Sequence, residues 1–258
     1  MNTENIVNDN EMVLVSANRH KVFTNGEKYL KQARSNENAH EIVLEYSVQK
    51  ALGQNVQLFP GPPVAVLTPK LGTQLTKLNS ETVRKQANVV QSMKNLDKEI
   101  LEDIAKLAPD INTIRTNIKN RMATRIAEGK VPEKLLNLIP KELELDKFDL
   151  TLVHADPRPE NWVKNNKDEL TLIDWESACF APWEFGLASL VSHTIEYGYP
   201  QLVSEIIDEA SRTTTIDYSL YEWSMKLRAA SVSSWYYFDE GEESGNKWYQ
   251  KILNNIYG

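Results

Sequence analysis

TLVHADPRPENWVKNNKDELTLIDWE, residues Thr151 to Glu176, sets His154, Asp156 and Asn161 on one loop and brings in Asp174 after a short apolar run. Asn161 stands five residues after Asp156, and Asp174 thirteen residues after Asn161. Such a set suits phosphoryl transfer, which asks a protein for positioning and charge neutralisation more than for covalent chemistry. Asp156 is the candidate to orient or accept the proton of an attacking hydroxyl. Asn161 and Asp174 offer hard oxygen ligands for magnesium, a cation that prefers oxygen and keeps several waters. Arg158 follows Asp156 by two residues and would point a planar guanidinium at the transferring phosphoryl group.

Around these groups the pattern predicts a strand–loop–strand layout. Leu152 and Val153 precede the loop, Leu170, Leu172 and Ile173 precede Asp174, and the polar stretch Asn165–Asp168 reads as a turn. His154 reads as a scaffold residue that ties loop backbone through its two ring nitrogens. An HxD pair alone is common, and Asn161 or Asp168 alone could be a turn former. HxDxxxxN followed by a strand ending in IDWE is far more specific.

HADPRPEN and IDWE together resemble the aminoglycoside phosphotransferase and choline kinase superfamily, in which an HGDLHPGN-like loop is followed by IDWE. The likeness is specific over about 151–190. It implies an α+β, protein-kinase-like two-lobed fold, with a small antiparallel-sheet N-terminal lobe carrying one helix and a larger, mostly helical C-terminal lobe. It makes Asp156 the catalytic base, Asn161 and Asp174 the metal ligands, and ATP and Mg2+ the cofactors. One departure stands out. The family continues with a GDPAxDLA-like stretch whose second aspartate braces the catalytic loop, whereas this chain reads FAPWEFGLASL and has Gly186 at that position. Glu184 substitutes from nearby, or the loop is braced differently.

Toward the N-terminus, 12–15 and 20–33 read as strands with Asn25-Gly26 as a hairpin turn, 37–52 as a helix capped by Gly53, and 64–68 as a further strand. By resemblance residues 1–68 are the nucleotide-binding lobe, 69–72 the hinge, and 73–258 the helical lobe with the catalytic loop and acceptor site. Lys31 is then the lysine on the α and β phosphates. Its ion-pair partner is then Glu45 on the following helix, with Glu41 one turn earlier on the same face as the alternative. No glycine-rich loop occurs at 13–23, so Ser16, Ala17 and Asn18 are the candidates to cover the phosphates. Adenine would lie against the connector near Thr68 to Leu71.

From Ser80, read as a helix N-cap, to about Asp146 the chain is charged and helical, with breaks at Pro109 and Pro132. Further helices follow Asp174, and the acidic run at Asp239, Glu240, Glu242 and Glu243 lies behind Trp235, Tyr236 and Tyr237. By resemblance the C-terminal helices contact the acceptor. Acidic groups and aromatic faces there would hold an amine or a quaternary ammonium.

The 258 residues carry a formal net charge of −7 and a pI near 5.3. That argues against a nucleic-acid surface, which is normally basic, and suits a cationic small-molecule acceptor. The single Cys179 excludes an internal disulfide and reads as a packing residue. No secretory pattern and no run approaching the ~20 apolar residues of a membrane helix is present, so the expected location is cytoplasmic, without a membrane partner. The expected function is ATP-dependent phosphorylation of a hydroxyl on an amine-bearing metabolite or antibiotic, aminoglycoside-like first, choline or an amino sugar next. The alternatives are a kinase-like binding or regulatory module without turnover and a metal-dependent hydrolase. The four histidines, His20, His40, His154 and His193, show no paired metal spacing that would favour the hydrolase.

Overall fold

The computed structural model describes residues 6–7, 11–17 and 19–257. Its strands are β1 (Val13–Ser16), β2 (His20–Thr24), β3 (Lys28–Ala33), β4 (Gln57–Phe59), β5 (Ala65–Pro69), β6 (Thr73–Gln74), β7 (Thr151–His154), β8 (Trp162–Lys164), β9 (Leu170–Leu172) and β10 (Ala178–Ala181). Its α-helices are α1 (Ala39–Ala51), α2 (Ser80–Ser92), α3 (Lys98–Ala105), α4 (Ile111–Ala127), α5 (Trp183–Glu196), α6 (Val203–Thr213), α7 (Tyr218–Glu240) and α8 (Glu242–Tyr257). The fold is mixed α+β, and the chain divides into two compact units.

The first unit comprises 1–74, 97–108 and 162–178. It holds an antiparallel five-stranded sheet in the order β1-β2-β3-β5-β4. Side chains alternate across a strand, so β3 serves both faces. Leu30 packs with Met12, Phe59 and Ala65 on one side. Ala33 packs with Ile42 of α1 and Val66 on the other, and Lys31 shares that α1 face by its period-2 spacing from Ala33. The turn between β2 and β3 closes on Asn25, whose Oδ1 accepts from the amides of Glu27 and Lys28 at 3.0 and 2.9 Å.

This unit takes in more chain than 1–68. The strand β8, only three residues long and without readable periodicity, was not expected; it pairs with β6 and with β9. Gly72 permits that pairing, since a Cβ there would lie 2.3 Å from the Lys164 carbonyl oxygen.

The second unit comprises 75–96, 109–161 and 179–258. The α5 helix is its centre: every residue from Trp183 to Ile195 is buried, as expected of a helix covered on all sides. The helices α2, α6, α7 and α8 pack around it. Asn79, not Ser80, caps α2, its side chain accepting from the Thr82 amide at 2.9 Å. Both types cap well, and it is Asn79 that has the extended backbone a cap needs. The fully buried strand β7 pairs with β10, so Leu152 and Val153 do not share a ladder with the strand before Asp174. Cys179 is buried and reduced, and burial pushes its thiol up to about 12.

Candidate active site

In the first unit, three carboxylates converge on one ammonium. Lys31 Nζ lies 2.8 Å from Glu45 Oε2 and 2.7 Å from Glu176 Oε2, and it also donates to Asp174 Oδ1. Glu45 and Gln49 share one stripe of α1 at helical spacing, which faces the strand carrying Lys31. A hydrogen-bond relay extends from there: Thr68 Oγ1 donates to Gln49 Oε1 at 3.1 Å, and Gln49 Nε2 to Glu45 Oε1 at 3.0 Å. Thr68 is thus linked by its side chain to the partner of Lys31. Glu41, the other candidate partner, is held by Arg19 and lies 3.0 Å from His20 Nε2. His20 Nε2 is also 3.1 Å from Glu176 Oε2, although neither histidine contact is aligned as a hydrogen bond.

Burial opposes the charge on Lys31, but Glu45, Asp174 and Glu176 outweigh it and raise its pKa above the ordinary lysine range. Burial raises the Glu45 carboxyl, and Lys31 offsets this only in part. Burial likewise opposes ionisation of Glu176, yet His20 and Lys31 bring it down to about 2. Asp174 differs from its neighbours: its side chain is 38 % exposed, against 6 % for Glu45 and 19 % for Glu176. It also sits in the left-handed region, at φ 66° and ψ 55°, a conformation Asp tolerates better than most residues.

Ligand oxygens of Glu45, Asp174 and Glu176 lie within 4.8 Å of one another, and all three carboxylates share the Lys31 ammonium. Ser16 closes β1 and the Ala17 carbonyl accepts from Arg34 at 2.6 Å, while Asn18 lies outside the described residues. Leu71 is half-buried in the connector between β5 and β6.

In the second unit, the loop after β7 presents Asp156. Its backbone is tied at successive points. His154 Nδ1 accepts from the Asp156 amide at 3.1 Å, and Asn161 Nδ2 donates to the Asp156 carbonyl at 2.8 Å. Asn161 thereby spends its amide nitrogen on the loop. Arg228 of α7 donates to the Ala155 carbonyl at 3.1 Å.

The Asp156 carboxylate is held on both sides. His193 Nε2 of α5 lies 2.9 Å from Oδ1, and Arg158 Nε donates to Oδ2 at 2.7 Å. Burial opposes ionisation here, but His193 and Arg158 together keep this carboxyl well below the usual range. In this state Arg158 is on Asp156, the residue two positions before it. His193 Nδ1 lies 2.8 Å from Glu196 Oε2, so one imidazole joins two carboxylates.

His193 and Arg228 are what sequence reasoning missed. His193 is seven residues past Gly186 and therefore on the same face of α5, a signal that periodicity could have supplied. Nothing local marks Arg228. They also explain the brace expected at position 186. Glu184 does not supply it, because its Oε1 accepts from the Asp217 amide at 3.2 Å, at the start of α7. A side chain at 186 would meet Val90 Cγ1 at 3.1 Å and Val153 Cγ1 at 3.3 Å from its first carbon. The loop is braced instead from one turn-pair further along α5 and from α7. Gly186→Asp should accordingly destabilise the fold, with overpacking alone worth ~1–3 kcal/mol, rather than restore a missing function. Denaturant unfolding beside a turnover assay checks this, and an unimpaired or more active variant would contradict it.

A cavity of about 280 Å3 opens beside Asp156. Arg121, Arg125, Arg158 and Arg228 line it, together with His193 and Glu196, and Tyr197 and Trp235 add aromatic surface. The acidic run expected to grip an amine is elsewhere. Asp239, Glu240, Glu242 and Glu243 are exposed around the α7–α8 junction, and none belongs to the cavity lining.

The sequence pattern of the phosphotransferase enzyme family (APH) matches residues 23–218. Comparison with curated protein sequences finds no match. Among solved structures, choline kinase LicA from Streptococcus pneumoniae superposes with a TM-score of 0.65 at 16% identity, covering 99% of this chain and 97% of its own. The GDP complex of wild-type aminoglycoside 2'-phosphotransferase-IIIa gives 0.64 at 12% identity, covering 99% and 96%. Macrolide 2'-phosphotransferase type I gives 0.63 at 14% identity, covering 98% and 96%.

Proposed function

The chain belongs to the phosphotransferase enzyme family, and from that premise we propose that it transfers the γ-phosphoryl group of ATP to a hydroxyl of a small molecule. The observation that carries this reading is the Asp156 loop. A carboxylate beside an open cavity is fixed through its backbone by His154, Asn161 and Arg228 and through its own oxygens by His193 and Arg158. A carboxylate kept this acidic orients a hydroxyl and takes its proton late, as a loose phosphoryl-transfer transition state requires.

Lys31, positioned by Glu45 and by the relay from Thr68, is the residue for the α and β phosphates. The nucleotide-binding part then extends beyond 1–68, since Asp174 and Glu176 pack into the same unit as Lys31. Ser16 and the connector at Thr68 and Leu71 are the remaining candidates for nucleotide contact. Asp174 of the first unit and Asn161 of the second each offer an oxygen donor of the type magnesium takes, an ion that when bound would neutralise phosphate charge. Arg158, released from Asp156, would meet the transferring group.

The acceptor reading drawn from the sequence is an amine-bearing metabolite or antibiotic. Tyr197 and Trp235 in the cavity offer aromatic faces of the kind that suits a cation, whereas the Glu196 carboxylate there is already paired with His193 and Tyr236. Several solved relatives carry names of this kind, choline kinase and aminoglycoside phosphotransferase among them. Incubation with ATP, magnesium and a panel of hydroxylated amines, sugars and acids should give acceptor-dependent ADP that disappears with a chelator. ADP release with no phosphorylated acceptor by mass spectrometry, or no ADP at all, would overturn the transfer reading.

A further inference from the structure

The charges lining the cavity beside Asp156 are unevenly spent. Asp156 and Glu196 are its two acids, and both are satisfied from within the protein. Asp156 has His193 and Arg158 on its two oxygens, and Glu196 has His193 Nδ1 at 2.8 Å and the Tyr236 hydroxyl at 3.0 Å. The cations are not balanced in the same way. Arg121 and Arg125 stand four residues apart on α4, a spacing at which like charges face each other and repel. Arg125 gives its Nη1 to the carbonyl and hydroxyl of Ser234, at 3.2 and 3.3 Å, and stacks on the Phe238 ring at 4.3 Å. Those neutral contacts immobilise the guanidinium without cancelling its charge.

Arg121 has no ion-pair partner among the described residues. Asp239 and Glu128 attract Arg125 from outside the lining, but neither pairs with it, and Glu128 is 3.2 Å from Lys130. Burial and the nearby Arg121 together push the Arg125 guanidinium down from its ordinary value. An anion in this corner would relieve that repulsion and meet planar donors suited to carboxylate or phosphate oxygens.

Resting on the phosphoryl-transfer reading above, we propose that the acceptor carries an anionic group, a carboxylate or a phosphate ester, held by Arg121 and Arg125 in the cavity that Asp156 lines. The same anion competes for Arg158, which now occupies Asp156 Oδ2. Its arrival would free that oxygen for the acceptor hydroxyl. Charge selection and exposure of the base would then be one event.

Four probes that share a set of hydroxyls and differ in charge provide the test: glucose, glucosamine, gluconate and glucose 6-phosphate. Their affinities are measured by calorimetry on the full chain with magnesium and a non-hydrolysable ATP analogue present. One or both anionic probes should bind at least ~10-fold more tightly than glucose, the scale expected of a charge-assisted pair, and glucosamine should bind most weakly. Which anion binds more tightly separates a hydroxy acid from a phosphorylated sugar. The double variant Arg121→Gln, Arg125→Gln should erase the preference while leaving binding of the ATP analogue unchanged.

Equal affinities, no binding by any probe, or preference for glucosamine would overturn the proposal. So would an anion preference that survives the double variant. An anion preference without ATP consumption would instead leave the charge assignment standing and remove the kinase reading.

Discussion

Asp156→Asn should lower turnover by about 10²–10⁴-fold, the usual contribution of a positioned general base, while nucleotide affinity stays close to that of the parent. The substitution keeps size and planarity and removes the charge. Asp156 accepts from Arg158 at Oδ2 and faces the His193 nitrogen at Oδ1. An asparagine can accept on one side only, and its amide then points hydrogens at a donor on the other. The loop backbone remains tied through His154, Asn161 and Arg228, so the loss should fall on kcat. Single-turnover kinetics with a fluorescent-nucleotide titration separates the two effects. Unchanged turnover would remove Asp156 from its role, and lost nucleotide affinity would mean that the residue serves binding instead.

Lys31→Met has the second large expected effect, and it falls on stability as well as activity. Three carboxylates share this ammonium, and Glu45 is buried. Removing one partner of a buried charge set typically costs about 3–5 kcal/mol, because the charges left behind have no compensation. Nucleotide affinity should fall in the same variant. Adding Glu45→Gln to Lys31→Met should recover part of the stability and none of the activity, a non-additivity expected of groups in contact. Denaturant unfolding of the single and double variants is the measurement. A Lys31→Met protein as stable as the parent would show that the acids are neutralised another way.

Asp156 was legible as a candidate because Asn161 and Asp174 follow it closely along the chain, in a pattern whose residue types suit phosphoryl transfer. Lys31 rested on the resemblance and on strand alternation. Its third acid, Glu176, stood in plain sight in IDWE without a role until the fold brought β3 and the turn after β9 together. Glu41 and Glu45 were equivalent by helical spacing alone. The rotation of α1 about its axis, set by the packing of Ile42 against Ala33 and Val66, decides which of them meets Lys31. The β8 strand escaped notice because three residues are too few to display a period.

By itself the chain determined the chemistry on offer: the acid, amide and second acid of 156–174, the helical and extended segments, and membership of a phosphotransferase family. These are local in sequence, and short-range spacing records them. Tertiary structure alone decided what holds the Asp156 loop in place of a residue at 186, and which charges line the cavity beside it. Both depend on α4, α5 and α7 approaching one loop from distant parts of the sequence. Side-chain contacts across such separations arise from packing; helical period can put His193 on the face of Gly186, but not against Asp156.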